Sequence, residues 1–284
     1  MRLVEVIGEK SDSFTAAERK VASALLSDYP FAGLETIHRL ADKTHVSAPS
    51  ITRFVQKLGC NGYQEFQRRL IGELKEGQQS PIDLQERSAP IGSGFLRKSI
   101  ERTCLVQRRV CDSVTEDQFT RVSNMLSDPR RNIFHIGGRM SDPLAQYLSR
   151  HHRQIRHHIC HLPPDTELWP EYLMRMKSRD VFFIVDFRRY EQRLATLARQ
   201  ATQERDVTII LITDKWLSPV SEYAGEVIAL PVDCGTAWDS YCGAVALIEA
   251  LISHVSAQDW QSTKQRIGDW DRLRLAYQAE CDDT

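Results

Sequence analysis

The sequence predicts an α/β protein with an all-α N-terminal domain: a helical bundle, a linker, then a doubly wound parallel sheet. Three observations predict it. Up to residue 76 the apolar residues recur at helical spacing behind recognisable capping residues. Residues 77–94, "GQQSPIDLQERSAPIGSG", are rich in Gly, Pro, Ser and Gln with little apolar periodicity, which marks a linker. From Asn132 onward, apolar strand-like runs alternate with helical stretches, the pattern of a parallel sheet covered on both faces. The domains are therefore 1–76, a linker at 77–94 and 95–284.

The first domain begins with "TAAERKVASALLSDYP", where Thr15 and Glu18 form a Thr-x-x-Glu capping box and Pro30 helps end the helix. "LETIHRLADKT" supplies a second helix with Ile37, Leu40 and Ala41 inward. A tight "THV" connection then leads to Ser47 as N-cap, with Pro49 tolerated in the first turn of a third helix. "GYQEFQRRLIGELKEG" gives a further helix. Beyond the linker, a helix runs from Phe95 to about Val114, and another follows a Thr115-x-x-Gln118 box. Strands are expected at "NIFHIGG", "HHICHL", "DVFFIVDF", "VTIILITD" and "EVIALPV", with helices at "DPLAQYLSRHHRQI", "YEQRLATLARQATQERD", "AWDSYCGAVALIEALISHVSAQ" and the polar C-terminal segment.

Composition bounds the function. Hydrophobic content of 42% and charged content of 26% belong to a folded chain. The formal net charge is −1, so any affinity for nucleic acid must come from a local patch. No apolar run approaches the roughly 18 residues of a membrane span, and the N-terminus lacks a signal-peptide pattern, so a cytoplasmic protein is expected. The seven cysteines are scattered and odd in number, which argues against a disulfide framework or a zinc knuckle.

A short helix, a three-residue connection and a second helix with a polar outer face make a helix-turn-helix. In that motif the second helix enters the major groove, its N-terminal residues against base edges. Ser47, Ser50, Thr52 and Arg53 suit base contacts, with Arg53 able to bind guanine through two hydrogen bonds. Gln56 lies one turn on. Lys57, with Arg39, Lys43, Arg68 and Arg69, suits the phosphate backbone. Periodicity alone leaves a plain bundle with a solvated face equally open. A resemblance favours the first alternative: "VSAPSITRFVQKLGCNGYQEFQRRL" is similar to the DNA-binding signature of the RpiR/MurR family of bacterial transcription regulators. Val46, Ser47, Arg53, Phe54, Leu58, Gly59, Gly62, Tyr63, Glu65 and Phe66 match its pattern, while Pro49 and Ser50 depart from the usual Ala and Thr. Tyr63 and Phe66 belong to the core.

The resemblance implies that the second domain is a sugar-isomerase (SIS) domain, a sheet fold that binds phosphorylated sugars. "IFHIGGRMSDPLAQYLSRHHRQI" resembles the first SIS strand-loop-helix, with its G-x-G-x-S loop. In "SPVSEYAGEV", Ser218, Pro219 and Ala224 match a second SIS stretch and Gly225 replaces the usual Asp. The phosphate loop, S-x-S-G-x-T in the family, is rewritten here as "VDFRRYEQR". The candidate effector residues are therefore Gly138, Arg139 and Ser141 from one loop, and Asp186, Arg188 and Arg189 from the other. Their arginines suggest a fork for a phosphate or carboxylate, with Asp186 orienting an arginine or meeting an amine. The alternatives are that Asp186 and the arginines only pair with each other, or that the domain merely dimerises.

Other constellations carry less. His157 and His161 share a strand face, but no Cys or acidic partner has metal-ligand spacing. "SPVSEYA" lacks nucleophile-elbow geometry, and nothing distinguishes Glu222 or Glu249 as a base. No catalytic residue, metal or cofactor is expected. The sequence thus describes a regulator that binds a palindromic double-stranded DNA operator as a homodimer or homotetramer and senses a small anionic metabolite, a phosphosugar or carboxylate. A sugar-phosphate isomerase-like enzyme and a ligandless SIS dimerisation module are the alternatives.

Overall fold

The computed structural model describes residues 3–27, 29–77, 80–88 and 91–282. The chain divides into two compact units, 1–78 and 79–284. The first is helical: α1 (Leu3–Glu9), α2 (Ala16–Ser27), α3 (Ile37–Thr44), α4 (Ala48–Lys57) and α5 (Tyr63–Gly77). The Thr15–Glu18 box closes in both directions, Thr15 N donating to Glu18 at 2.7 Å and Glu18 N donating to Thr15 Oγ1 at 3.3 Å. Leu25, Leu40, Ile51, Phe54, Phe66 and Leu70 form the centre of one buried cluster. Phe14 packs edge-on against Phe54, ring centroids 5.2 Å apart. Asp28, near the end of the expected helix "TAAERKVASALLSDYP", lies outside the described residues.

The second unit opens with α6 (Pro81–Arg87), inside the segment that composition marks as a linker. Ser80 and Asp83 cap it reciprocally and Pro81 occupies its first turn, so a helix signal was present in "SPID". The expected helix at 95–114 is two helices in succession, α7 (Phe95–Arg108) and α8 (Val110–Ser113). α9 (Glu116–Ser127) starts at Thr115, whose hydroxyl accepts from Gln118 N. The Gln118 amide does not return the bond. It donates instead to Val227 O at 3.0 Å and so ties the helix to the last strand.

The five predicted strands are all present: β1 (Ile133–Gly137), β2 (Ile159–His161), β3 (Val181–Val185), β4 (Thr208–Asp214) and β5 (Glu226–Leu230). They pair in parallel in the order β2-β1-β3-β4-β5. Alternate residues enter opposite cores. Val181, Phe183 and Val185 of β3 and Ile210 and Ile212 of β4 face α9, α10 (Asp142–Ile155) and α13 (Cys242–Gln258). Phe182 and Ile184, with Ile209 and Leu211, face α11 (Trp169–Arg175) and α12 (Gln192–Arg205). Burial on both faces explains the continuous apolar strands. α14 (Trp260–Asp282) closes the chain. Among the described residues no helix is long and apolar enough to cross a membrane.

Candidate functional site

The first site is the outer face of α4. Its inner face, Ile51, Phe54 and Val55, is buried together with Leu58 just beyond. The turn that sets α4 against α3 passes through His45 in the left-handed region, φ 53°, with Val46 N donating to Ala41 O at 3.2 Å. Arg53 and Gln56 are exposed, as reading DNA requires. Ser47, Ser50 and Arg53 form one chain along this face: the two hydroxyls lie 3.0 Å apart, and Arg53 Nη2 donates to Ser50 Oγ at 3.2 Å. That chain limits the rotamers of Arg53 before any partner arrives. Thr52 is half-buried and its hydroxyl donates to Ala48 O at 3.1 Å, leaving mainly its methyl for a base. Tyr63 donates to Gly33 O and Glu35 O while Phe66 is fully buried, so both serve the core.

Lys57 departs from its expected place. Its ammonium donates to Ser13 O at 2.6 Å, pairs with Glu18 at 3.1 Å and lies 5.4 Å from the centre of the Phe14 ring. The Thr15 amide and, after it, Lys57 hold the Glu18 carboxyl below its ordinary value. Lys57 thus fastens α4 to the N-terminal turn, and its ammonium is not directed to phosphate. Lys57→Ala is expected to lower the stability of this unit by about 1 kcal/mol. It should leave the slope of log K against log salt unchanged; a slope reduced by about one would return Lys57 to the phosphate contacts.

The second site lies where ligands of such sheets gather, beyond the carboxyl ends of β1 and β3, where the strand order reverses. A cavity of about 250 Å³ opens there, near the small end of the roughly 300–1,000 Å³ typical of ligand pockets. All six candidate effector residues line it. Met140, Glu191, Trp238, Asp239 and Tyr241 line it too, and Pro81 and Leu84 of α6 border it.

The loop after β1 is held by its own hydroxyl. Ser141 Oγ donates to Val185 O at 2.6 Å and accepts from Gly138 N at 3.0 Å, so it shapes the loop and is not free to donate to a ligand. Gly137 sits so close to Asp142 that a Cβ there would lie 2.5 Å from its Cα. A Cβ on Gly138 would lie 2.7 Å from Asp186 Oδ1, so only glycine lets the loop pass this close to the carboxyl.

The expected arginine fork does not form. Arg188 is buried and grips Asp239 through two hydrogen bonds, Nε to Oδ2 at 2.6 Å and Nη2 to Oδ1, with its guanidinium 4.6 Å from the Trp216 ring centre. A guanidinium so neutralised adds little to anion binding. Arg139 and Arg189 are exposed at the cavity, and among the described residues neither has an ion-pair partner in the fold. Arg189 adopts φ 67°, a left-handed conformation that costs a residue bearing a Cβ roughly 1–2 kcal/mol. It stands where the SIS pattern has glycine.

Asp186 does not meet an arginine either. It is 1% exposed and accepts the Ser218 hydroxyl at 2.5 Å. Burial, then the charge of Asp214, pushes its carboxyl up to about 7 against the pull of Ser218. Asp214, fully buried at the end of β4, accepts from the Tyr190 hydroxyl at 2.6 Å and from the amides of Arg188 and Trp216; burial pushes it to about 6. Of the discounted histidines, His161 Nε2 meets Asp142 at 2.9 Å and His157 lies against Arg266. Among the described residues no group of three or more His, Cys, Asp or Glu is placed to hold a metal.

Residues 1–77 match the helix-turn-helix domain of the rpiR family and residues 125–254 match the SIS domain. In that order they define the class: a helix-turn-helix domain of the rpiR family followed by a SIS domain. An uncharacterized HTH-type transcriptional regulator of Thermotoga maritima is 24% identical over 235 residues, 81% of each chain. The HTH-type transcriptional regulator HexR of Pseudomonas aeruginosa is 36% identical over 75 residues, 26% of each. The fold is that of the Vibrio vulnificus NanR protein complexed with ManNAc-6P, with 17% identity, 97% and 99% of the two chains covered and a TM-score of 0.54. The sugar isomerase domain of an RpiR transcription factor from Sphaerobacter thermophilus matches 62% of this chain and 96% of its own at 16% identity, TM-score 0.55.

Proposed function

We propose that this protein is a transcriptional regulator that binds a two-fold symmetric DNA operator through α4 and responds to a small anionic metabolite in the cavity beyond β1 and β3. The carrying observation is the exposed Ser47–Ser50–Arg53 chain on a helix whose opposite face is wholly buried. The regulator names of the relatives support the reading, as does the phosphosugar held by NanR. Arg139 and Arg189 are the cations available to the ligand's anion. Because α6 borders the cavity, a ligand there touches the segment that leads back to the DNA-binding unit. A ligand that prefers one placement of that segment shifts the population of DNA-competent molecules.

Arg53→Ala is expected to cost roughly 1–3 kcal/mol of specific operator binding, about 5- to 150-fold in affinity, and to relax one operator position. A gel-shift series on single-base operator variants measures both. Equal loss on every sequence would place Arg53 on phosphate and overturn this facing of the helix.

A single helix-turn-helix reads too few base pairs for useful specificity, so two heads are needed. The second unit supplies a surface for pairing: α7 exposes Phe95, Leu96, Ile100 and Leu105. Leu96→Glu combined with Ile100→Glu is expected to convert dimers to monomers in light scattering and to weaken operator binding. An unchanged mass would place the interface elsewhere. Asp186, a carboxyl lining the cavity and raised to about 7, also suits proton transfer. Turnover of an aldose or ketose phosphate by the purified chain would favour an isomerase over the sensor.

A further inference from the structure

We infer that the cavity of the second unit recognises a ligand carrying both an ammonium group and an anion, the ammonium seated on Asp186 and the anion held by Arg139 and Arg189. The inference rests on the sensor reading and specifies its ligand.

The argument begins with charge. Where SIS phosphate loops place hydroxyls, this chain places a buried carboxyl at the cavity floor. Its donors are the Ser218 hydroxyl and the Glu191 amide, both neutral. The charged groups acting on it are Asp214, at the end of β4, and Glu191, after β3, and both carry its own sign. The nearby guanidinium of Arg188 is taken by Asp239. Glu191 also accepts the Arg139 amide at 2.8 Å, which fixes a second carboxylate beside the loop. Arg193 pairs with Glu191 at 3.5 Å, but among the described residues Asp186 has no cationic partner, so its carboxylate disfavours a phosphate and lacks a counter-cation. A ligand's ammonium supplies that cation. Asp186 and Gly138 both line the cavity, and Oδ1 lies against Gly138 where no side chain intervenes.

The exposed side of the cavity has the opposite sign. Arg139 and Arg189 stand there without carboxylate partners among the described residues. Arg189 holds its place through a left-handed backbone that glycine would adopt without strain, so the side chain is kept at a cost. Carboxyl floor and guanidinium rim together fit a molecule with an amine at one end and an anion at the other. An amino-sugar phosphate and an amino acid both have that chemistry.

The test uses the full chain and two matched pairs in calorimetric titration: glucosamine 6-phosphate against glucose 6-phosphate, and L-glutamate against 2-hydroxyglutarate. In at least one pair the amine is expected to bind tenfold or more tightly than its hydroxyl analogue at pH 7; the responding pair identifies which anion the rim takes. Because a proton must leave Asp186 before an ammonium can pair with it, the amine-to-hydroxyl affinity ratio should rise several-fold between pH 6 and 7.5. Taking the ratio cancels the ionisation of the phosphate itself. Gly138→Ala, whose Cβ covers Oδ1, should abolish the preference for the amine, and Asp186→Asn should do the same where it folds. If the hydroxyl member binds as well as the amine, or the ratio falls with pH, the ammonium site is refuted while the anion sensor survives. If none of the four molecules binds, both fall.

Discussion

Arg188→Ala is expected to destabilise the second unit by about 3–5 kcal/mol, the cost of breaking a buried ion pair from one side. Asp239 would lose both hydrogen bonds to the guanidinium, and Trp216 the cation over its ring. Asp214, already buried, would lose the nearby positive charge that offsets its neighbour Asp239. Adding Asp239→Asn to Arg188→Ala should recover most of the loss, because the destabilisation comes from the stranded carboxylate more than from the missing contacts. Urea denaturation of the two single variants and the double variant measures the cycle. A single-variant loss below 1 kcal/mol, or no recovery in the double, would mean that the pair is solvated and contributes little. One consequence bears on any effector screen: a lost ligand response in Arg188→Ala reports a disturbed loop and not a missing ligand contact. Arg139 and Arg189 are the positions to vary for that purpose.

The same pair shows what the sequence could and could not reveal. Patterns set by local chain geometry were legible. The inner residues of α4 are buried and Arg53 and Gln56 exposed, because a 3.6-residue period fixes which side chains share a face. The strands were legible because burial on both faces demands continuous apolar runs. The cavity's two main loops followed from topology, since ligands of parallel sheets gather at strand carboxyl ends. Charge partners were not legible. Lys57 finds Glu18 39 residues away, and Arg188 finds Asp239 51 residues away. Nothing local to either residue announces such a pairing; packing alone brings the groups together. Asp186 carried a partial signal, as a carboxyl at the place of a phosphate-binding serine, but its buried contact with Ser218 depends on how β3 and β4 align. Asp239 and Trp238 were hidden for another reason. "AWDSY" contains no glycine or proline to separate it from the following helix, yet α13 begins only at Cys242 and leaves these residues in the cavity wall.

His152→Leu is expected to make the protein progressively more stable than the wild type as the pH falls, by about 3 kcal/mol at pH 4.5. His135 on β1 and His152 on α10 are both fully buried, their ring centroids 5.3 Å apart. Among the described residues neither ring nitrogen of His152 has a hydrogen-bond partner, and Nε2 of His135 has none. Burial, with Arg156 adding to it, lowers His152 from 6.5 to about 3; burial and His152 hold His135 well below 6.5. The unfolded chain takes up these protons below about pH 6.5 while the folded chain refuses them. Each histidine therefore contributes stability that is whole above pH 6.5 and lost as the pH falls; for His152 the loss runs towards pH 3 at about 1.4 kcal/mol per pH unit. The carboxyls act oppositely. Asp186, raised from 3.8 to about 7, and Asp214, raised to about 6, penalise folding at high pH, and the penalty lifts as acid protonates them. As the pH falls from 7.5 to 4.5 the two histidines therefore remove stability while the two aspartates return it. The wild type's stability profile over this range should consequently be flatter than either pair alone would make it, because the two titrations oppose each other. Leucine fills a similar volume at position 152, makes no demand for hydrogen bonds and takes up no proton, so the variant keeps the aspartate gain and removes the His152 share of the histidine loss. Urea midpoints at pH 7.5, 6 and 4.5 test this directly. A wild-type-to-variant difference that stays constant across the three would show that His152 is already protonated, or solvated, in the folded protein.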